Sequence, residues 1–244
     1  MSKERLDVLL VNKGLVESRN IAQRLVMAGQ VRVNGQVTIK PATMVDPQSD
    51  LEVDKGPRFV SRGGEKLAAA LSAFHIDING LICADVGAST GGFSDCLLQN
   101  GAKKIFAIDV GKGILHWKIR QDPRVTVMEN TNARYVQKLP EPVNLVTIDA
   151  SFISLRILLP VVKNWFSGAG SGGEIVALIK PQFEAGRKEA SRGEGVIRDS
   201  IVHQRVIMDL LEFSQQEGFQ LCGLLQSPIL GPKGNKEFLT WLKI

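Results

Sequence analysis

The hydrophobic period changes along the chain. Leu6, Leu9 and Leu10 recur at helical spacing. A second helical pattern begins after Ser18, carries Ile21, Leu25 and Val26 inward and stops at Gly29. The period then falls to two. Val31-Arg32-Val33 and Val37-Thr38-Ile39 flank Asn34-Gly35, a dipeptide that enters left-handed backbone easily and so favours a two-residue hairpin turn. A turn-rich stretch runs from Pro41 to Pro57, with a short strand expected at Leu51-Glu52-Val53 and a domain boundary near Gly56 to Ser61. The pattern divides the chain into a small α+β domain over residues 1–57, a linker over 58–63 and a second domain over 64–244.

In that second domain, apolar strand-like runs alternate with helical patterns. Strands are expected at Leu81 to Val86, Lys104 to Asp109, Val125 to Met128, Leu145 to Asp149, Glu174 to Lys180, Gln220 to Gln226 and Phe238 to Ile244. Helices are expected near Gly64 to Phe74, Phe93 to Gln99, Ser154 to Phe166 and Ser200 to Glu217. Such alternation predicts an α/β, Rossmann-like fold: a seven-stranded sheet, mostly parallel with an antiparallel last strand, covered by helices on both faces.

Composition narrows the function classes. The 244 residues are 44% hydrophobic and 23% charged, an ordinary globular balance. The longest apolar stretch, near Ile157 to Val162, falls far short of the roughly 18 to 20 residues that a membrane span needs. Met1 to Arg5 carries mixed charge and leads into a periodic segment, unlike a signal peptide, so a cytoplasmic protein is expected. Cys83, Cys96 and Cys222 are widely spaced, as are His75, His116 and His203, so reduced thiols and no metal site are expected. The net charge of +5 is modest, but residues 1–62 hold ten Lys and Arg against seven Asp and Glu, or +3 of it. That excess suits a polyanionic partner meeting the N-terminal domain.

The first strand of the second domain runs into Asp85-Val86-Gly87-Ala88-Ser89-Thr90-Gly91-Gly92-Phe93, with a helix after it. Glycines there allow a sharp turn and a close ligand approach at a strand's carboxyl end, where open α/β sheets bind ligands. The spacing fits neither the phosphate-cradling loop nor the dinucleotide fingerprint. Asp85 precedes the turn, and Asp109 ends the next strand at a position suited to ribose hydroxyls. An acidic turn also suits a cationic sulfonium, which favours S-adenosylmethionine over a pyrophosphate cofactor. A tight strand-to-helix connection with Asp85 as a helix cap is the plainer alternative. Glu129-Asn130, ending the third strand, suits the adenine or its ribose, and surface turn chemistry explains the pair almost as well.

Four charged residues fall at strand or helix ends. Lys66 opens a helix, Asp149 and Lys180 end adjacent strands, and Glu237 begins the last strand. Carboxyl ends of parallel strands meet over one cleft, so Asp149 and Lys180 should lie close, with Glu237 at the same edge. Methylation of a ribose 2′-hydroxyl needs a group that takes or steers a proton, and a lysine beside a second cation can do so. A solvated Lys66 and a surface pair between Glu237 and Lys236 or Lys233 are the bland alternatives.

These residues carry a likeness. The chain resembles TlyA-type (hemolysin A family) ribosomal RNA 2′-O-methyltransferases over essentially its full length. Arg5-Leu6-Asp7, Ser18-Arg19, Ala22, Leu25 and Gly29-x-Val31-x-Val33-Asn34-Gly35 resemble the S-four-like RNA-binding module. Ser61-Arg62-Gly63-Gly64-x-Lys66-Leu67, the 85–93 turn, Asp122-Pro123-Arg124-Val125, Ser151 to Leu155 and Lys180-Pro181-Gln182-Phe183-Glu184 resemble the FtsJ-like methyltransferase domain. The resemblance implies a catalytic set of Lys66, Asp149, Lys180 and Glu237. It also implies S-adenosylmethionine as donor, and cytidine ribose in small- or large-subunit ribosomal RNA, within ribosomal subunits, as acceptor. Asp85, Gly87, Ser89, Thr90, Gly91, Gly92, Phe93, Asp109, Glu129 and Asn130 are the cofactor-binding expectations. Residues 58–61 would couple RNA docking to the active site. A methyltransferase acting on another RNA and a membrane-active hemolysin are the competing readings.

RNA contacts are expected from Arg5, Arg19, Arg24 and Arg32, which two helices and a hairpin would gather, and from Arg62. Guanidinium groups suit phosphates and stacked bases. A second basic group, Arg187, Lys188, Arg192 and Arg198, is interleaved with acids and glycines and reads as a mobile closing loop or a plain solvated one. Trp117, Trp165, Trp241 and Tyr135 are expected to be core or helix-packing residues and not base-stacking platforms.

Overall fold

The computed structural model describes residues 2–54, 56–166, 172–186, 189 and 194–244. Arg187, Lys188 and Arg192 of the second basic group lie outside the described residues. The chain forms two compact units, Met1–Arg58 and Phe59–Ile244.

In the first unit, α1 (Leu6–Asn12) and α2 (Arg19–Met27) pack through Leu6, Leu9, Leu10, Ala22 and Val26 onto Val31 and Val45. Ser18 caps α2, its hydroxyl accepting from the Ile21 amide at 3.4 Å. The expected hairpin is present: β2 (Val31–Val33) pairs antiparallel with β3 (Gln36–Val37), and Asn34 and Gly35 both have positive φ. The strand expected at residues 51–53 is β5 (Leu51–Val53), on the other side of β2. Two-residue strands β1 (Glu4–Arg5) and β4 (Met44–Val45) also pair.

The second unit is built on a seven-stranded sheet in the order β11-β12-β10-β9-β6-β7-β8. The strands are β6 (Ile82–Val86), β7 (Lys104–Ile108), β8 (Val125–Met128), β9 (Leu145–Ile148), β10 (Glu174–Ile179), β11 (Gln220–Gln226) and β12 (Phe238–Lys243). Neighbouring pairs from β8 to β10 are parallel, and β12 runs antiparallel to both β10 and β11. Each face of the sheet has its own core. One holds Leu67, Leu71, Cys83, Phe93, Leu97, Ile105 and Val176, and the other Ala84, Val86, Phe106, Ile148, Leu158, Leu159 and Leu210. The covering helices are α3 (Gly63–Phe74), α4 (Gly92–Gln99), α6 (Leu155–Val162) and α8 (Ser200–Gln216); the short α5 (Trp117–Arg120) lies in the connection from β7 to β8 and sets Ile119 into the first core, and α7 (Pro181–Glu184) follows β10 directly.

Residues 59–63, read from sequence as linker, are built into this unit. Phe59 is buried in the core, and the Val60 amide donates to Asp95 Oδ2 at 2.9 Å. Gly64 has no room for a side chain, since a Cβ there would lie 2.2 Å from the Phe59 ring. Trp165 and Trp241 pack inside, but Trp117 is 66% and Tyr135 68% exposed, so the expectation for those two is corrected. In each short segment a neighbour faces inward instead, Ile119 in one and Ala133 in the other, which leaves Trp117 and Tyr135 at the surface.

Candidate active site

Sheet register brings three of the four charged residues to one edge. Ile148 pairs with Ala177, and Ile179 pairs with Phe238. Asp149, Lys180 and Glu237 are therefore the residues just past the ladder on β9, β10 and β12, strands about 5 Å apart. Lys66, one turn into α3, reaches the same edge: its Nζ donates to Glu237 Oε2 at 2.6 Å, with the side chains 9% and 0% exposed. Lys180 Nζ stands 2.6 Å from Asp149 Oδ1, an ion pair too bent to be a hydrogen bond, and donates to Ser151 Oγ at 3.0 Å. The Asp149 carbonyl takes a weaker contact from the same ammonium at 3.4 Å.

What sets Lys66 in place is the Ser61-Arg62-Gly63-Gly64 segment. A Cβ on Gly92 would meet Ser61 Oγ at 2.2 Å and the Gly64 amide at 2.9 Å, so the start of α3 packs directly on the start of α4. Glycine is required there for packing and not for ligand approach.

A cavity of about 620 Å³ opens beside Asp149 at the carboxyl ends of β6, β7 and β9. Gly87, Ser89, Asp109 and Asp149 line it, with Val110 and Ile114, residues 131–134 and residues 150–154. Gly87 has φ +82°, and a Cβ on it would lie 2.8 Å from the Asp149 carbonyl, so no other residue fits between the turn and β9. Asp109 is fixed by its neighbours: Oδ2 accepts from the Ser89 amide at 2.8 Å and Oδ1 from the Gly111 amide at 2.7 Å. A half-buried carboxylate at a strand end, an open glycine turn and apolar walls at Ile108, Ile114 and Leu158 together suit a nucleoside with a cationic group.

Several of the expected cofactor residues do not line this cavity. Asp85 is wholly buried beneath the turn, accepting from Ser94 Oγ at 2.6 Å and Thr147 Oγ1 at 3.2 Å. Burial pushes its carboxyl up to about 6 against the pull of those two hydrogen bonds, and the charge of Asp149 adds to the rise. Phe93 belongs to the core, and Gly91 and Gly92 are buried at the start of α4. Thr90 is exposed, and its carbonyl accepts from the His116 amide. Glu129 is tied to its own surroundings, and its carboxyl is lowered by hydrogen bonds from the Gly113 amide and from Arg120. Asn130 is exposed with φ 52°, a turn residue.

Sequence reasoning missed Phe152. It is 90% exposed, sits at φ 64° where a bulky residue is strained, and leans on Phe183 with ring centroids 5.0 Å apart. Its segment is clamped from below: Glu184 accepts from Ser154 Oγ at 2.5 Å and the Leu155 amide at 2.8 Å, and burial raises its carboxyl. An aromatic inside Asp149-Ala150-Ser151-Phe152 was the available signal.

In the first unit, Arg5 and Arg19 are engaged by Asp7, which is wholly buried. Arg5 donates through Nε and Nη2, Arg19 through Nε, each at 3.0 Å, and Gln23 adds a bond at 2.9 Å. Arg5 leads in holding the Asp7 carboxyl well below the usual carboxylate range. Both arginines remain about half exposed, so their outer faces are open while their position is fixed. Arg24, Arg32 and Arg62 are exposed. Among the described residues no cluster of His, Cys, Asp and Glu could hold a metal ion, and no helix is long and apolar enough to cross a membrane.

Comparison with known proteins agrees with the two-part layout. Residues 59–244 match the FtsJ-like methyltransferase family and residues 4–51 the S4 domain. A Mycobacterium tuberculosis protein, the 16S/23S rRNA (cytidine-2′-O)-methyltransferase TlyA, is 42% identical over 99% of this chain and 90% of its own length. Hemolysin A of Brachyspira hyodysenteriae is 40% identical over 97% of this chain and 98% of its own. A solved structure from Streptococcus thermophilus is 44% identical, covers 100% of this chain and 89% of its own, and superposes with a TM-score of 0.73.

Proposed function

The chain belongs to the TlyA and hemolysin A group of FtsJ-like methyltransferases bearing an S4 domain, and from that premise we propose that it methylates the ribose 2′-hydroxyl of a cytidine in ribosomal RNA, with S-adenosylmethionine as donor. The observation that carries the reading is the pair of lysine–carboxylate contacts, Lys66–Glu237 and Lys180–Asp149, gathered at the carboxyl edge of the sheet, where Asp149 also lines the 620 Å³ cavity. Base methylation would call for a different set, such as a cysteine nucleophile or an Asn-Pro-Pro-Tyr-like segment, and Ile148-Asp149-Ala150-Ser151 is neither.

The donor supplies an electrophilic methyl group when bound, and Asp109, Ser89 and the Gly87 turn would hold its nucleoside end. The chain's own groups handle the hydroxyl. Lys180, fixed by Asp149 and Ser151, orients the incoming 2′-oxygen; once its ammonium has released a proton to solvent, the free amine takes up the hydroxyl proton as the new oxygen–carbon bond forms and the donor's sulfur–carbon bond breaks. Asp149 stabilises the ammonium that results. Lys66, held by Glu237, places a second positive charge near the developing alkoxide. General-base help of this kind is worth about 10² to 10⁴ in rate, with alignment adding more. The exposed Phe152 ring offers an apolar face for the target base, and the arginines of the first unit offer donors for phosphates. A ribosomal RNA substrate is met in the cytoplasm.

The test is transfer of tritiated methyl from S-adenosylmethionine to small and large ribosomal subunits that lack the modification. Wild-type protein should label at least one of them and Lys180→Ala should not. No labelling of either subunit, or full labelling by Lys180→Ala, overturns the proposal.

A further inference from the structure

The Glu237 carboxylate is held by a partner on one side only. Oε2 takes the Lys66 ammonium, whereas Oε1 is buried and has no hydrogen-bond partner among the described residues. Gly231 occupies the space beside it. A Cβ at residue 231 would lie 2.1 Å from Glu237 Oε1, 2.4 Å from Cδ and 3.0 Å from Oε2. The backbone there has φ −71° and ψ −176°, a conformation open to any residue. Glycine is needed at this position for room and not for backbone freedom.

The backbone is fastened on both sides, and the carboxylate, although it ends a flexible side chain, is wholly buried and paired with Lys66. The Glu237 carbonyl accepts from the Ser227 amide at 2.9 Å, and the Gly231 amide donates to the Asn235 carbonyl at 2.9 Å. Asn235 is itself buried. Its side chain donates to the carbonyls of Gly195 and Pro232 at 2.9 and 3.1 Å and accepts from the Ile197 amide at 3.1 Å. The turn from Gly231 to Asn235 is thus fastened to residues 195–197, and the carboxylate is pressed between that turn and Lys66.

We propose that Gly231 is a positioning residue for methyl transfer: its bare Cα forms the wall against which the Glu237 carboxylate rests, and so fixes where the Lys66 ammonium stands. This rests on the methyltransferase reading above. A methyl group at 231 pushes the carboxylate off its seat, and the lysine moves with it or loses its partner. The donor cavity, lined by other residues, is left alone.

The experiment is a pair of mutant cycles on the full chain. Gly231→Ala should lower kcat on unmethylated ribosomal subunits by about tenfold or more, while the dissociation constant for S-adenosylmethionine changes by less than about twofold. In a Glu237→Asp background, where the carboxylate is one methylene shorter, the same substitution should cost less than about twofold. Melting temperature gives a readout independent of activity. Gly231→Ala should lower it by several degrees in the wild type and by less than about 1 °C in Glu237→Ala, where the obstructing group is gone. Equal losses in both backgrounds, or a fully active Gly231→Ala, would overturn the proposal. A wild type that transfers no methyl group would sink the methyltransferase reading, and the melting cycle would still decide whether Gly231 seats the carboxylate.

Discussion

Removing either member of the Lys66–Glu237 pair should separate its structural part from its chemical part. The two side chains are 9% and 0% exposed and 2.6 Å apart, so either single truncation strands an unpaired charge in the interior. The cost of breaking a buried pair is about 3 to 5 kcal/mol, whereas replacing both members with apolar groups is often close to neutral. At about 2 to 4 °C per kcal/mol for a domain of this size, Lys66→Met alone should lower the melting temperature by about 6 °C or more. Glu237→Leu alone should do the same. Lys66→Met/Glu237→Leu should return to within about 1 kcal/mol of wild type, because no charge is left behind. Methyl transfer should be lost in all three proteins. Calorimetry and the tritium assay are run on the same preparations. A double mutant that regains transfer with its stability would show that the pair is only a structural clamp. Single losses below about 1 kcal/mol would show that the pair is not buried as described.

The remaining expectations concern the cavity and the groups around it. Asp109→Ala frees the Ser89 and Gly111 amides and removes the strand-end carboxylate, so calorimetric affinity for S-adenosylmethionine should fall by tenfold or more, about 1.5 to 3 kcal/mol; unchanged affinity would move the donor elsewhere. Phe152→Ala removes an exposed ring from a strained position, so it should raise KM for ribosomal subunits while leaving both the melting temperature and the donor affinity in place. A drop in the melting temperature would show that the ring is structural. Asp85, raised from 3.8 to about 6, binds its proton more tightly folded than unfolded, so its contribution is fully present below about pH 4 and is lost as pH rises through 6. The shift of about two units corresponds to about 3 kcal/mol, so urea unfolding should show Asp85→Asn gaining on wild type by that order between pH 4 and pH 7.5. A difference that stays flat over that range refutes it.

The parts of the molecule legible in sequence were those fixed by local pattern. Buried runs such as Ile105 to Ile108 and Ile175 to Ile179 admit only a central strand, and all seven appear within a residue or so of the expected bounds. The pairing of β1 with β4 was not legible, since each strand is two residues long and exists only through the other. The same holds for α5 and α7, four residues each, which are set by what they pack on. The charged edge was legible because strand ends converge in such a sheet. Asp85 was misplaced by reading the glycine turn as a unit. Side chains alternate along β6, so Asp85 shares a face with the buried Cys83 and points under α4 toward Ser94, not out of the strand end. The closeness of Gly231 to Glu237 had no signal at all, because it depends on how the connection between β11 and β12 folds back on itself.

The most direct test of the central claim is the chemical position of the methyl group. Ribosomal RNA from cells with and without this protein is digested to nucleosides, and the methylated product is identified by mass spectrometry. The account predicts a cytidine with its added mass on the ribose, present only when the protein is present and absent with Lys180→Ala. A methyl group on a base, or ribose methylation that does not depend on the protein, would contradict it.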